Sequence, residues 1–412
     1  FNLAKIYTDI GNMLHFNGKI EKAIENYKRA IKNKSDYVEA HNNLGVALQS
    51  SGKLEEAADS FKKAIEIKHD YSESYNNLGN IFITLNKIEE AVKIYQKAIK
   101  IKSDYFEAHS NLGAALDKLG KFEESITHYQ EAIKIKPDFE KANNNLAASF
   151  VAQGRFDEAI SFYNKTLKLN PNKTQYAINA NLLIPTIPKS NEDLKFWRDK
   201  YNSAIDVLKK NKYFIDDPQK VINPPTFNLS YSNFNNLNIM KKVSSFFRTA
   251  IPVINFKTQR NNTVNQSDNK TKRIKIGFIS EFFTDHTIGK LFKGLIKAID
   301  KDKFELLVFH FQRTKHGKIK EEIESCSEKV IYLDGKISDQ HNLIEKELLD
   351  IIFYPDIGMA ASTYFLAHAR LAPVQIMSWG HPETSGIDTV DYFLSSSLIE
   401  DVNSNSFYSE KL

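Results

Sequence analysis

The chain repeats itself every 34 residues. A leucine or isoleucine falls at Ile10, Leu44, Leu78, Leu112 and Leu146, and a small residue follows at Gly11, Gly45, Gly79, Gly113 and Ala147. Further on come Ala23, Ala57, Ala91, Ser125 and Ala159. An aromatic lies four positions later, at Tyr27, Phe61, Tyr95, Tyr129 and Tyr163. Ala30, Ala64, Ala98, Ala132 and Thr166 follow three beyond that. Short turns such as Ser51-Gly52-Lys53 and Gln153-Gly154-Arg155 divide each unit into two amphipathic helices. The small residues let the helices approach closely. The aromatic is expected to fill the space between one helix pair and the next. One such unit cannot bury its apolar face alone, so five units over residues 4–173 must stack into a superhelix with a concave surface.

The period is that of tetratricopeptide repeats. The residue before the repeated leucine adds a polar ladder: Asn43, Asn77, Asn111 and Asn145, with Asp9 in the first unit. An amide offers both donors and acceptors, which suits an extended peptide backbone. The same groups would serve equally to tie neighbouring helices together. A groove that clamps a terminal carboxylate would want basic residues beside the ladder. The neighbours are instead Asn42, Asn76, Ser110 and Asn144.

After residue 173 the period is lost. Residues 174–256 are too apolar for a floppy linker and read as a packed helical connector. Within it Ser190 N-caps a helix that runs to Lys210, and Asn238 opens a second helix. Residues 257–273 are Gln, Asn, Thr and Lys with almost no apolar residue, which is a solvated loop. The charge balance, 56 basic against 51 acidic residues, shows no dense basic block and no case for nucleic acid. One cysteine, Cys326, excludes an internal disulfide and a Cys-based zinc site, and it fits a reducing, cytoplasmic setting. No apolar run is long enough to cross a bilayer.

From Ile274 the pattern alternates. Strands are expected at Ile274–Ser280, Glu305–Phe311, Val330–Leu333, Ile351–Ile357, Val374–Trp379 and Val390–Ser395. Helices are expected at Leu291–Ile299, Ile319–Cys326, Asn342–Leu348 and Ser362–Leu371. The result is an α/β, Rossmann-like domain with a parallel sheet covered on both faces. Ligands collect beyond the carboxyl ends of such strands. His286 follows the first strand, Asp356 the fourth, and His381, Thr384, Ser385 and Gly386 the fifth. Histidine exchanges protons near neutrality, and a Thr-Ser-Gly loop offers hydroxyls and N–H groups to sugar or phosphate oxygens. Singly, each has a structural reading: Asp356 as a helix cap, His381 as a turn residue. Together at one sheet edge they make a candidate site. His310 and His368, inside elements, read as structural.

The run from Leu371 to Gly386 (LAPVQIMSWGHPETSG), with Asp391-Tyr392 and the later Tyr-Ser-Glu-Lys-Leu at 408–412, resembles the O-GlcNAc transferase and Spindly family. That family joins tetratricopeptide repeats to a two-lobed GT-B glycosyltransferase. The resemblance implies that residues 274–412 are the first GT-B lobe. It implies transfer of a sugar, GlcNAc by this likeness, from a nucleotide sugar such as UDP-GlcNAc to Ser/Thr hydroxyls of proteins held by the repeats. Neither a metal nor another cofactor is implied. Under it His286 and His381 are catalytic, Asn43, Asn77, Asn111 and Asn145 bind the acceptor chain, and Asp356, Thr384, Ser385 and Gly386 lie at the sugar.

Two features depart from the animal O-GlcNAc transferases. Gly380-His381-Pro382 stands where those enzymes have Gly-Tyr-Pro, and is more like the bacterial N-glycosyltransferase branch. Leu229-Ser230-Tyr231-Ser232-Asn233 lacks the histidine that relatives often carry there. Tyr-Ser-Glu-Lys-Leu stands near the end of the first lobe in the family. A second, nucleotide-gripping lobe is therefore expected beyond Leu412, and residues 1–412 alone are expected to be inactive. An asparagine-directed N-glycosyltransferase and a non-catalytic peptide-binding scaffold are the alternatives.

Overall fold

The computed structural model describes residues 3–221, 227–232, 234–258, 273–312, 314, 316–380, 383–396, 398, 400 and 403–412. It divides into two compact units, Phe1–Pro171 and Asn172–Leu412.

The first unit is ten helices in five antiparallel pairs: α1 (Leu3–Phe16) with α2 (Ile20–Asn33), α3 (Val38–Ser50) with α4 (Leu54–Ile67), α5 (Ser72–Thr84) with α6 (Ile88–Ile101), α7 (Phe106–Lys118) with α8 (Phe122–Ile135), and α9 (Glu140–Ala152) with α10 (Phe156–Leu169). The turn inside each pair needs a left-handed residue. Gly18, Gly52, Gly120 and Gly154 supply it with φ of 71°, 79°, 72° and 73°, and Asn86 supplies it in the third pair with φ 59°. Asparagine is the usual substitute for glycine there. The aromatic packs against its own pair and shares a core cluster with the next, as Phe61 does with Leu78 and Ile81. A Cβ on Gly79 would come within 2.5 Å of the Tyr95 ring, and one on Gly45 within 2.6 Å of Phe61. The glycine is the recess into which the ring fits, and burial of each ring contributes about 2–3 kcal/mol.

In the second unit, helices α11 (Thr174–Asn181), α12 (Asn191–Lys210), α13 (Pro218–Val221) and α14 (Leu237–Ala250) precede the sheet. Ser190 caps α12 as expected, accepting a hydrogen bond from the Asp193 N–H at 3.1 Å. The cap of α14 falls at Asn236, two residues before the expected Asn238. Of the expected loop, residues 259–272 lie outside the described residues.

The sheet strands are β1 (Ile274–Ser280), β2 (Phe304–Phe311), β3 (Lys329–Leu333), β4 (Ile351–Tyr354), β5 (Val374–Ser378) and β6 (Tyr392–Leu394). Helices α15 (Thr287–Ala298), α16 (Lys318–Cys326), α17 (Ile337–Glu345) and α18 (Ala361–Ala367) connect the first five. All pairings are parallel, in the order β3-β2-β1-β4-β5-β6. The chain leaves β1 toward one edge and returns at β4 toward the other, so the switch point lies between β1 and β4. One face buries Phe278, Phe353, Phe292, Ile296 and Val308. The aromatic side chains of α14 and α18 also interlock: Phe247 meets Phe365 edge-on at 5.2 Å and Tyr364 at 6.0 Å.

Several expected boundaries shift. The helix after β1 starts at Thr287, four residues early, because His286 caps it. The helix before β4 runs Ile337–Glu345 rather than Asn342–Leu348, started at Lys336, whose backbone N–H donates to the Asp339 carboxylate at 3.1 Å. Strand β4 stops at Tyr354, since Pro355 and Asp356 form a turn.

Candidate functional site

The carboxyl ends of β1, β4 and β5 meet at the switch point. Asp356, wholly buried after β4, reaches across to β1. Its Oδ2 accepts hydrogen bonds from the Ser280 hydroxyl at 3.1 Å and the Glu281 N–H at 3.2 Å. Its Oδ1 has no partner among the described residues. Burial raises the Asp356 carboxyl to about 7, against the opposing hydrogen bonds from Ser280 and Glu281, so a proton is readily held there. Gly380, after β5, lies flush against this turn. A Cβ there would fall within 2.6 Å of the Asp356 Cα and closer still to the Pro355 carbonyl oxygen. Asp356 thus braces the β1 and β4 ends rather than capping a helix.

His286 is half-buried at the N-terminus of α15. Its Nδ1 accepts the Ile288 N–H at 3.2 Å, and its ring lies 4.6 Å from that of Phe282. A neutral ring that accepts through Nδ1 carries its proton on Nε2. In this state Nε2 donates a hydrogen bond and does not remove a proton. His286 is hydrogen-bonded neither to Asp356 nor to the loop after β5 among the described residues. His381, the second histidine of the expected site, lies outside the described residues.

Thr384, Ser385 and Gly386 are buried and organised by Glu410, which is 5% exposed. The Glu410 carboxylate accepts from the Thr384 hydroxyl at 2.6 Å, from the Ser385 N–H at 2.9 Å and from the Ser385 hydroxyl. The Thr384 oxygen in turn receives the Ser409 N–H at 2.9 Å. Gly386 has φ 67°, and a Cβ there would meet the backbone of Met240 and Lys241 in α14. The two hydroxyls are therefore committed to positioning the loop. The parallel bridge between Tyr392 and Lys411 brings the Glu410 segment alongside β6.

A cavity of about 300 Å³ opens beside this loop, lined by Ser230, Phe234, Asn235, Asn236, Glu383, Thr384, Glu400, Phe407 and Tyr408. Glu383 is held by the Asn236 amide, at 2.8 Å and 3.1 Å to its two oxygens, and the Asn236 oxygen accepts from Arg198 Nε at 2.9 Å. Burial raises Glu383 to about 7, opposed by the Asn236 hydrogen bond and the Arg198 charge. Sequence reasoning passed over Glu383, Glu410 and Asn236. Glu383 and Glu410 stood inside the quoted runs, but their partners lie 147 and 26 residues away in the chain.

In the repeats, the ladder amides bond between units. Asn77 donates to Asn42 at 3.1 Å, Asn111 to Asn76 at 2.9 Å, and Asn43 to Asn12 at 3.0 Å. The Asn111 oxygen accepts from Lys141 at 2.9 Å, and Asn145 hydrogen-bonds to Tyr129. One N–H of each amide in the first three bonds holds consecutive units together, leaving further capacity in each group.

Comparison with known proteins adds the family. Residues 236–412 match glycosyl transferase family 41, and stretches within residues 11–173 match tetratricopeptide repeats. A probable UDP-N-acetylglucosamine–peptide N-acetylglucosaminyltransferase, SEC, of Arabidopsis thaliana is 21% identical over 142 residues, 34% of this chain and 14% of that protein. A UDP-glucose:protein N-beta-glucosyltransferase of Actinobacillus pleuropneumoniae serotype 7 is 39% identical over 64 residues, 15% of this chain and 10% of that protein. The matches thus span a small part of either relative. A Thermobaculum terrenum O-GlcNAc transferase mutant superposes with a TM-score of 0.42 at 15% identity, covering 91% of this chain and 56% of the other. No helix among the described residues is long and apolar enough to cross a membrane. The chain joins tetratricopeptide repeats to a region that matches glycosyl transferase family 41.

Proposed function

We propose that the protein transfers one sugar from a nucleotide sugar, UDP-GlcNAc in the first reading, to Ser or Thr hydroxyls of protein acceptors. The observation that carries this reading is the family 41 match over residues 236–412, the span that includes the loop held by Glu410. The chemistry asks for positioning of the acceptor and stabilisation of the departing diphosphate. A rigid Thr384–Gly386 loop and an Nε2–H donor at His286 suit those two tasks. The repeats supply the acceptor-binding surface in this reading, with Asn43, Asn77, Asn111 and Asn145 using their remaining hydrogen-bonding capacity on the acceptor backbone.

One observation favours a second reading. The stretch shared with the bacterial N-glucosyltransferase is 39% identical, higher than the plant match. Under it the donor is UDP-glucose and the acceptor an asparagine amide. The test crosses two donors with two peptides, one bearing Ser/Thr and one bearing Asn-x-Ser/Thr, using the polypeptide expressed from the complete gene. Mass spectrometry of the peptides reads the result. GlcNAc on Ser/Thr supports the first reading and glucose on Asn the second. No modification of either peptide with either donor sinks both.

A further inference from the structure

The cavity beside Glu383 has a particular chemistry. Its walls are aromatic: Phe234 and Phe407, 45% and 47% exposed, and Tyr408. Its polar groups are the carboxylates of Glu383 and Glu400, the Asn235 and Asn236 amides and the Ser230 and Thr384 hydroxyls, and no Lys or Arg lines it among the described residues. Glu400 accepts from the Tyr408 hydroxyl at 3.1 Å and from the Ser395 hydroxyl at 2.6 Å. The Tyr408 hydroxyl is pushed well above its usual range, first by burial and then by the charge of Glu400 and its hydrogen bond, with Glu383 and Glu410 adding to it. Three carboxylates therefore act on one phenol oxygen. A diphosphate or any other anion is repelled from such a space. A cation gains from both kinds of wall, the ring faces and the carboxylates.

We infer that this cavity receives a basic side chain, lysine or arginine, of an acceptor polypeptide, with Glu383 and Glu400 as its counter-charges and the Phe234, Phe407 and Tyr408 rings as its walls. The fold already makes a similar contact next door: the Arg198 guanidinium lies 5.1 Å from the Phe234 ring centre. The volume of about 300 Å³ is enough to admit one long side chain. Glu383 is oriented for the task in advance, because the buried Asn236 holds both of its oxygens and is itself fixed by Arg198 and by the Leu229 carbonyl at 3.0 Å. An arriving cation stabilises the ionised carboxylate that burial otherwise disfavours. The assignment of the cavity to the acceptor side rests on the transferase reading above. The binding itself does not.

The test is calorimetric and needs no sugar transfer. The probes are N-acetyl-arginine amide, its uncharged isostere N-acetyl-citrulline amide, N-acetylglucosamine and UDP, each titrated into the protein. The arginine amide is expected to bind at least ~tenfold more tightly than the citrulline amide. Glu383→Gln, which keeps a partner for Asn236, is expected to remove most of that difference. Phe407→Ala, on an exposed wall, is expected to weaken arginine binding several-fold without changing the melting temperature. Equal affinity for arginine and citrulline amides, or an arginine affinity untouched by both substitutions, overturns the inference. So does binding of N-acetylglucosamine or UDP that Glu383→Gln abolishes. If the polypeptide expressed from the complete gene binds arginine amide yet transfers no sugar, the pocket is kept and the transferase reading discarded.

Discussion

The Glu410 carboxylate accepts the Thr384 hydroxyl at 2.6 Å across 26 residues of chain. That one contact joins the segment after β6 to the loop after β5. The adjoining bonds to Ser385 make Glu410, itself 5% exposed, a three-donor node. A carboxylate held by several donors fixes its neighbours in turn.

Glu410→Ala removes the acceptor for two hydroxyls and a backbone N–H at once. Leaving buried donors without partners costs about 1–3 kcal/mol each before relaxation. Urea unfolding of the second unit is expected to shift by at least ~2 kcal/mol. Glu410→Gln, which keeps an acceptor oxygen, is expected to lose less.

Gly380→Ala is expected to disrupt the switch-point turn. The new Cβ would press on the backbone of Pro355 and Asp356, which cannot move aside as a side chain can. Overpacking of this kind costs ~1–3 kcal/mol or more. Melting temperature checks it, with Gly294→Ala as the control, since nothing lies within 4 Å of the Cβ that Gly294 would gain.

Buried titrating groups give opposing pH effects. Glu383 and Asp356, both raised to about 7 by burial, bind protons more tightly folded than unfolded. Their contribution is full below the unfolded carboxyl range, near pH 4, and is lost as pH rises to about 7. His341 and His368, lowered by burial to about 4 and about 3, act the other way. Their contribution is present above about 6.5 and is lost as pH falls. The difference in unfolding free energy between wild type and Glu383→Gln isolates the carboxylate. Going from pH 5 to pH 8, wild type is expected to lose ~1–3 kcal/mol relative to the variant. A pH-independent difference would show that Glu383 titrates normally.

The ladder allows a separation of roles. Asn42, 7% exposed, accepts from Ser74 at 3.0 Å and from Asn77 at 3.1 Å, so Asn42→Ala strands two donors. It is expected to destabilise the repeats by ~1–3 kcal/mol. Asn43→Ala, at a more accessible position, loses the bond it donates to Asn12 and the one it accepts from Asn42, and is expected to cost about 1 kcal/mol while weakening acceptor-peptide binding. Denaturation and peptide titration of the two variants check this pair.

The sequence made the periodic parts legible. The 34-residue repeat located five helix pairs, and alternating apolar runs located all six strands, because both signals are local. Boundaries moved where a side chain intervened, as when His286 capped α15. The candidate site was visible only as loops at one sheet edge. That Thr384 and Ser385 answer to Glu410, and Glu383 to Asn236 and through it to Arg198, depends on pairings between distant segments. No periodicity encodes such pairings. The asparagine ladder was readable as a row of amides, yet its direction, each of Asn77 and Asn111 reaching back 35 residues, emerged only in the stacked units.

The most direct test of the transferase account follows nucleotide release and peptide mass together in one time course. It uses the polypeptide expressed from the complete gene, a Ser/Thr peptide with a neighbouring arginine, and UDP-GlcNAc. The account predicts one UDP released for each sugar gained by the peptide, with both rates falling together in Glu410→Ala. UDP release without any gain in peptide mass, or neither with UDP-GlcNAc nor with UDP-glucose, would contradict it.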